Sequence, residues 1–75
     1  MNYDDKEMIK YMDAKVRDLQ RIFRRYKNGE ITRDYTYNEM REVNGMLDLL
    51  IQFELVPFEA RHKYLEILIE LTTNL

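Results

Sequence analysis

Apolar residues recur along the first third of this chain with a helical period. Ile9, Met12, Val16, Leu19, Phe23 and Tyr26 are spaced 3, 4, 3, 4 and 3 residues apart, an a/d seam held for nearly three heptads. Such a seam predicts a helix that buries one stripe against other helices. Its expected limits are 4–28. Asn2 or Asp4 would supply the N-cap, early acids and late bases suit the helix dipole, and Gly29 is the stop. At 1.5 Å per residue such a helix is roughly 37 Å long.

Beyond Gly29 the pattern weakens. Ile31, Arg33 and Tyr35 alternate with polar residues as a short strand would, but no second strand candidate exists to pair with it. The segment therefore predicts a connector with one helical turn. Thr36 followed by Glu39 fits a capping box and predicts a second helix over 37–54. Gly45 inside it costs about 1 kcal/mol relative to alanine, which a close helix contact at that point would explain. Pro57 suits the first turn of a third helix, 57–72, because its missing amide would be unpaired there anyway. Leu55 and Val56 then form a very short connector, which makes the second and third helices an antiparallel hairpin. The expected fold is all-α, a single helical domain over 1–75 built from one long amphipathic helix plus that helical hairpin.

The hairpin carries more apolar surface than one core stripe uses. Met46, Leu47, Leu49, Leu50, Ile51 and Phe53 cover well over half of one helix, and Leu65, Ile67, Leu68, Ile69 and Leu71 crowd the other. Leu47 and Leu68 are the expected core positions. The surplus predicts a homodimer through Met46, Leu49, Phe53, Leu65 and Ile69; the alternative is a monomer wrapped around an irregular core. At about 25 cal/mol per Å², some 600 Å² of such surface is worth on the order of 15 kcal/mol before the costs of association.

Charge is sorted along the chain. Between Lys15 and Lys27 there are six basic residues and one acid, and between Asn38 and Glu70 seven acids and three bases. Arg17, Arg21, Arg24 and Arg25 fall on the outer side of the first helix, where they could track phosphates or grip carboxylates. The target is therefore negative. It could be nucleic acid, an acidic partner, or the acidic hairpin of the same chain or its dimer mate. A net charge of −2 argues against a dedicated nucleic-acid binder. Glu39, Glu42, Glu59, Glu66 and Glu70 form an acidic surface; a solvated helix face is the simple reading, mimicry of a phosphate backbone the sharper one. Exposed tyrosines with arginines are the residue types that dominate interfaces, so Tyr11, Tyr35 and Tyr37 join the expected contacts, with Tyr3 another candidate off the seam.

Material for chemistry is scarce. The chain has no cysteine, no serine and one histidine. Glu59 and His62 have the Glu-x-x-His spacing of di-metal four-helix proteins, but two such motifs are normally needed and these residues share the polar side of the third helix. No catalytic residue, metal or cofactor is expected. No apolar run approaches the roughly 18 residues of a membrane span, and Asp4, Asp5 and Glu7 stand where a secretory signal would be basic, so a cytoplasmic location is expected.

Phe, Tyr, Met, Ile, Asn and Lys total 30 residues against 12 for Gly, Ala, Arg and Pro, a balance that suggests an AT-rich genome. With its small size, lack of cysteine and abundant tyrosine, the chain resembles in overall character the small host-takeover and regulatory proteins of phages and mobile elements of low-GC bacteria. That resemblance implies binding to a larger host protein in the host cytoplasm, such as a replication clamp, RNA polymerase or a CRISPR nuclease. The expected function is a non-enzymatic interaction module, a dimeric inhibitor or regulator. The alternative is a small nucleic-acid-associated regulator using the arginine face of the first helix.

Overall fold

The computed structural model describes residues 5–75, and the proposed caps Asn2 and Asp4, with Tyr3, lie outside them. Three helices follow one another: α1 (Asp5–Lys27), α2 (Arg33–Gln52) and α3 (Phe58–Thr73). Helix α1 ends where the sequence places its stop. Gly29 takes a left-handed φ of 76°, its amide bonds the Tyr26 carbonyl at 3.0 Å, and the Glu30 amide bonds Arg25 at 2.9 Å. This double closure satisfies carbonyls that the helix end would otherwise leave open, and the left-handed residue suits glycine because it has no Cβ.

Helix α2 begins one turn earlier than the 37–54 expectation. Its N-cap is Thr32, whose Oγ1 accepts from the Tyr35 amide at 3.1 Å, rather than Thr36 paired with Glu39. Core register decides the outcome. Thr36, Met40, Val43 and Leu47 are spaced 4, 3 and 4 apart and all are buried, so Thr36 belongs inside the helix. There its hydroxyl donates to the Thr32 carbonyl at 2.9 Å. The alternation of Ile31, Arg33 and Tyr35 therefore marks a helix start. Gly45 is exposed and a Cβ on it would meet nothing within 4 Å, so no close helix contact explains it.

The hairpin connection repeats the closure at the end of α1 without a glycine. Glu54 has a φ of 56°, its amide bonds Ile51 at 3.0 Å, and the Leu55 amide bonds Leu50 at 2.8 Å. Helix α3 begins one residue later than the 57–72 expectation: Pro57 is its N-cap rather than its first helical residue, and the Pro57 carbonyl accepts from the Ala60 and Arg61 amides.

The helices run up, down and up. Helices α1 and α3 are parallel: the Tyr64 hydroxyl reaches α1 at Asp13, and farther along the Tyr26 hydroxyl donates to the Leu75 carbonyl at 3.5 Å. Helix α2 is antiparallel to both. Arg25 and Tyr35 line one part of its groove with α1, whereas Met8 and Tyr11 line another part with Leu50 and Leu55. The three helices share one core. It contains Met12, Val16, Leu19 and Phe23 of the predicted seam, together with Met40, Val43, Leu47, Val56, Tyr64 and Leu68. Ile9 and Tyr26, the seam's two ends, are half-buried, and Met8 is buried beside it. No helix among the described residues is long and apolar enough to cross a membrane.

Candidate interaction surfaces

The apolar side chains left outside the core divide between two sides of α2. Met46 and Leu50 line the groove with α1, and helical geometry places Leu49 and Phe53 one step outward on that side. The opposite side of α2 is fixed by the Thr72 hydroxyl, which lies 3.1 Å from the Met40 sulfur. Ile69, Leu65 and Phe58 precede Thr72 by three, seven and fourteen residues and so lie on the α2-facing side of α3. The five residues expected to form one dimer patch are thus separated. Met46, Leu49 and Phe53 belong to the α1–α2 face, and Leu65 and Ile69 to the α2–α3 face. Exposure is large on both: Phe53 is 71%, Phe58 78% and Ile69 66% accessible.

The charged candidates also distribute by face. Arg17, Arg21, Arg24 and Arg25 are all exposed. Arg21 and Arg25 line the α1–α2 groove opposite Glu39 and Glu42, and Arg24 lines the α1–α3 groove with Lys27 and Asn74. Arg17 donates from Nε to the Asp13 carbonyl at 3.4 Å. Tyr11 and Tyr35 also line the α1–α2 groove, and Lys15 stacks 5.5 Å from the Tyr11 ring. Tyr37 precedes Met40, which meets Thr72 of α3, by three residues, so helical spacing puts it on the α3 side of α2, with the Arg41 guanidinium 5.9 Å from its ring. Glu59, Glu66 and Glu70 are exposed on α3. His62 is spaced from Glu59 as a metal pair would be, but its Nε2 lies 3.0 Å from Glu66 Oε1 on an open surface. No group of three or more metal-ligating side chains occurs among the described residues.

One polar cluster was not legible beforehand. Tyr64 is fully buried, and its hydroxyl lies 2.9 Å from Asp13 Oδ1 and 3.2 Å from the Ile9 carbonyl. Lys63 Nζ donates to the same carboxylate oxygen at 3.2 Å. Burial alone would push the Asp13 carboxyl up; the hydrogen bonds from Tyr64 and Lys63 and the charges of Lys63 and Arg17 outweigh it and hold the group below its ordinary value. Tyr64 shifts the other way, because burial and then the bond to Asp13 oppose its ionisation. The only sequence signal was an acid flanking an apolar seam.

Comparison of the chain with protein-family models, curated proteins and solved structures finds no match.

Proposed function

We propose that this protein is a non-enzymatic interaction module that inhibits or regulates a larger protein through the α2–α3 face. The carrying observation is the exposure of Phe58, Leu65 and Ile69 along α3 on the side that carries Tyr37 and Arg41 of α2. An apolar strip edged by a tyrosine and an arginine has the composition of a protein-binding hot spot. Water contact with Phe58 and Ile69 is unfavourable by about 25 cal/mol per Å², and a partner's apolar surface removes it. The residue inventory supports the same reading. The one histidine is exposed and engaged with Glu66, and there is no serine or cysteine to act as a nucleophile.

The test is affinity capture from a low-GC bacterial lysate with wild type and with Phe58→Asp and Ile69→Asp, each checked for unchanged helicity. A protein retained by wild type and lost from both variants supports the assignment. Equal retention by all three removes the α2–α3 face from the function.

A second reading is favoured by the exposed arginines on α1: Arg17 lies at the edge of the Asp13 cluster, and Arg24 is in no ion pair among the described residues. It makes the protein a nucleic-acid-associated regulator. Its mark is an elevated ratio of absorbance at 260 to 280 nm in the purified protein at low salt, abolished by Arg17→Glu with Arg24→Glu.

A further inference from the structure

The α1–α2 face combines apolar and charged surface in a self-complementary order. Met8, Tyr11, Leu50 and Leu55, with Glu7 as the one charged residue, line an open cavity of about 400 Å³, to which Met46 also contributes. Met46 is shared with an adjoining cavity, also about 400 Å³, with Lys15, Arg21 and Arg25 on its α1 wall and Glu39 and Glu42 on its α2 wall. Asp18, the one acid on the basic wall, lies 3.8 Å from Arg21. Among the described residues, none of Lys15, Arg25, Glu39 and Glu42 is in an ion pair.

We propose that this face binds a second copy of the chain, in an isologous dimer whose two-fold axis runs parallel to the helices. Rotation about that axis lays α1 of each copy over α2 of the other at the same height. The basic wall meets the acidic wall twice, and the apolar end meets itself, with Leu49 and Phe53 alongside. Because α1 and α2 run in opposite directions, the four helices alternate up and down as in an antiparallel four-helix bundle. An axis perpendicular to the helices would instead set α1 on α1 and α2 on α2 with their directions reversed, so the basic wall would never meet the acidic one.

The size is adequate. With helices about 10 Å apart and about 30 Å long, two of them present roughly 600 Å² per copy, or about 1,200 Å² in total, the lower end for a stable interface. The α2–α3 face stays open in this dimer, so the assembly and the partner reading stand or fall separately.

The experiment is sedimentation equilibrium at tens of micromolar protein and low salt, with helicity followed by circular dichroism. Wild type is expected at twice the chain mass, and Ile69→Asp also. Arg21→Glu with Arg25→Glu makes both walls acidic, and Glu39→Lys with Glu42→Lys makes both basic; each is expected to weaken self-association on the order of tenfold or more. Mixing these two variants is expected to restore a dimer, because each then offers the charge the other lacks. Arg25→Glu and Glu42→Lys alone, both at exposed positions, serve if a double variant loses helicity. A monomeric wild type overturns the proposal, as does a dimer that survives both reversals or is lost in Ile69→Asp.

Discussion

The buried hydroxyl of Tyr64 lies 2.9 Å from Asp13 Oδ1 and joins α3 to α1 across 51 residues of chain. Asp13 stays ionised more readily than an ordinary carboxyl because Tyr64 and Lys63 both donate to it. A folded-state pKa below the unfolded value contributes stability that is present at neutral pH and lost as pH falls through the folded value. Tyr64→Phe is expected to cost about 1.5 kcal/mol at neutral pH, the low end for a hydrogen bond to a charge, because water can replace the hydroxyl at a carboxylate that remains partly open. The difference from wild type should shrink as the pH falls below the lowered folded value of Asp13, where the carboxyl is protonated in both states. Urea unfolding of the two proteins across that range measures it. A gap independent of pH would mean that the hydroxyl acts only on the Ile9 carbonyl.

Tyr64 itself titrates with the opposite sign. Its folded pKa is raised by burial and by Asp13, so its contribution is complete below the ordinary tyrosine value and is lost as pH rises through the folded one. Wild type should therefore lose stability above about pH 10 more steeply than Tyr64→Phe. Thermal melts in alkaline buffer, read by helicity, compare the two slopes.

Glu54 occupies a position that glycine holds at the end of α1. Both residues close a helix with the same pair of amide bonds, Glu54 at a φ of 56° and Gly29 at 76°. An L residue pays about 1 kcal/mol for that conformation through the clash of its Cβ. Glu54→Gly should stabilise the fold by up to about 1 kcal/mol, less the greater freedom glycine gains when unfolded. The midpoint of urea unfolding reports it. A destabilised variant would show that the Glu54 side chain contributes more than its backbone strain costs.

Gly45 gives the complementary case. It is an exposed mid-helix glycine with open space where a Cβ would stand, so no contact opposes the intrinsic preference. Gly45→Ala is expected to stabilise by about 1 kcal/mol. If the melting temperature falls instead, the bare backbone at this point serves a contact made with another molecule.

The periodic parts of this fold were open to reading and the local choices were not. The seam from Met12 to Phe23 lies in the core because its spacing leaves one face to bury. The start of α2 is not legible locally, because Glu39 makes Thr36 the better capping box in sequence, and only the burial of Thr36 with Met40 and Val43 hands the cap to Thr32. The surplus apolar residues read as one patch in the sequence because amphipathicity says how much apolar area a helix has in excess but not which neighbour flanks it. Once α1 and α3 take opposite sides of α2, Phe53 and Ile69 part company. The Asp13–Tyr64 link depends on the parallel alignment of α1 and α3, a tertiary relationship with no periodic signature.

Leu68 and Ile69 are adjacent in sequence and opposite in environment, at 4% and 66% accessible. The same substitution should therefore have opposite consequences. An unpaired aspartate at Leu68 would sit in the core with no donor to stabilise it, at a cost of several kcal/mol. A chain this size has only about 4–11 kcal/mol of stability in total, so Leu68→Asp, like Leu47→Asp, is expected to unfold it. Ile69→Asp places the charge in water and should keep the helix content and a melting temperature close to wild type. Circular dichroism melts of the two variants decide the matter. Native melting of Leu68→Asp would move Leu68 out of the core, and unfolding of Ile69→Asp would mean that the α2–α3 face is covered in the folded protein.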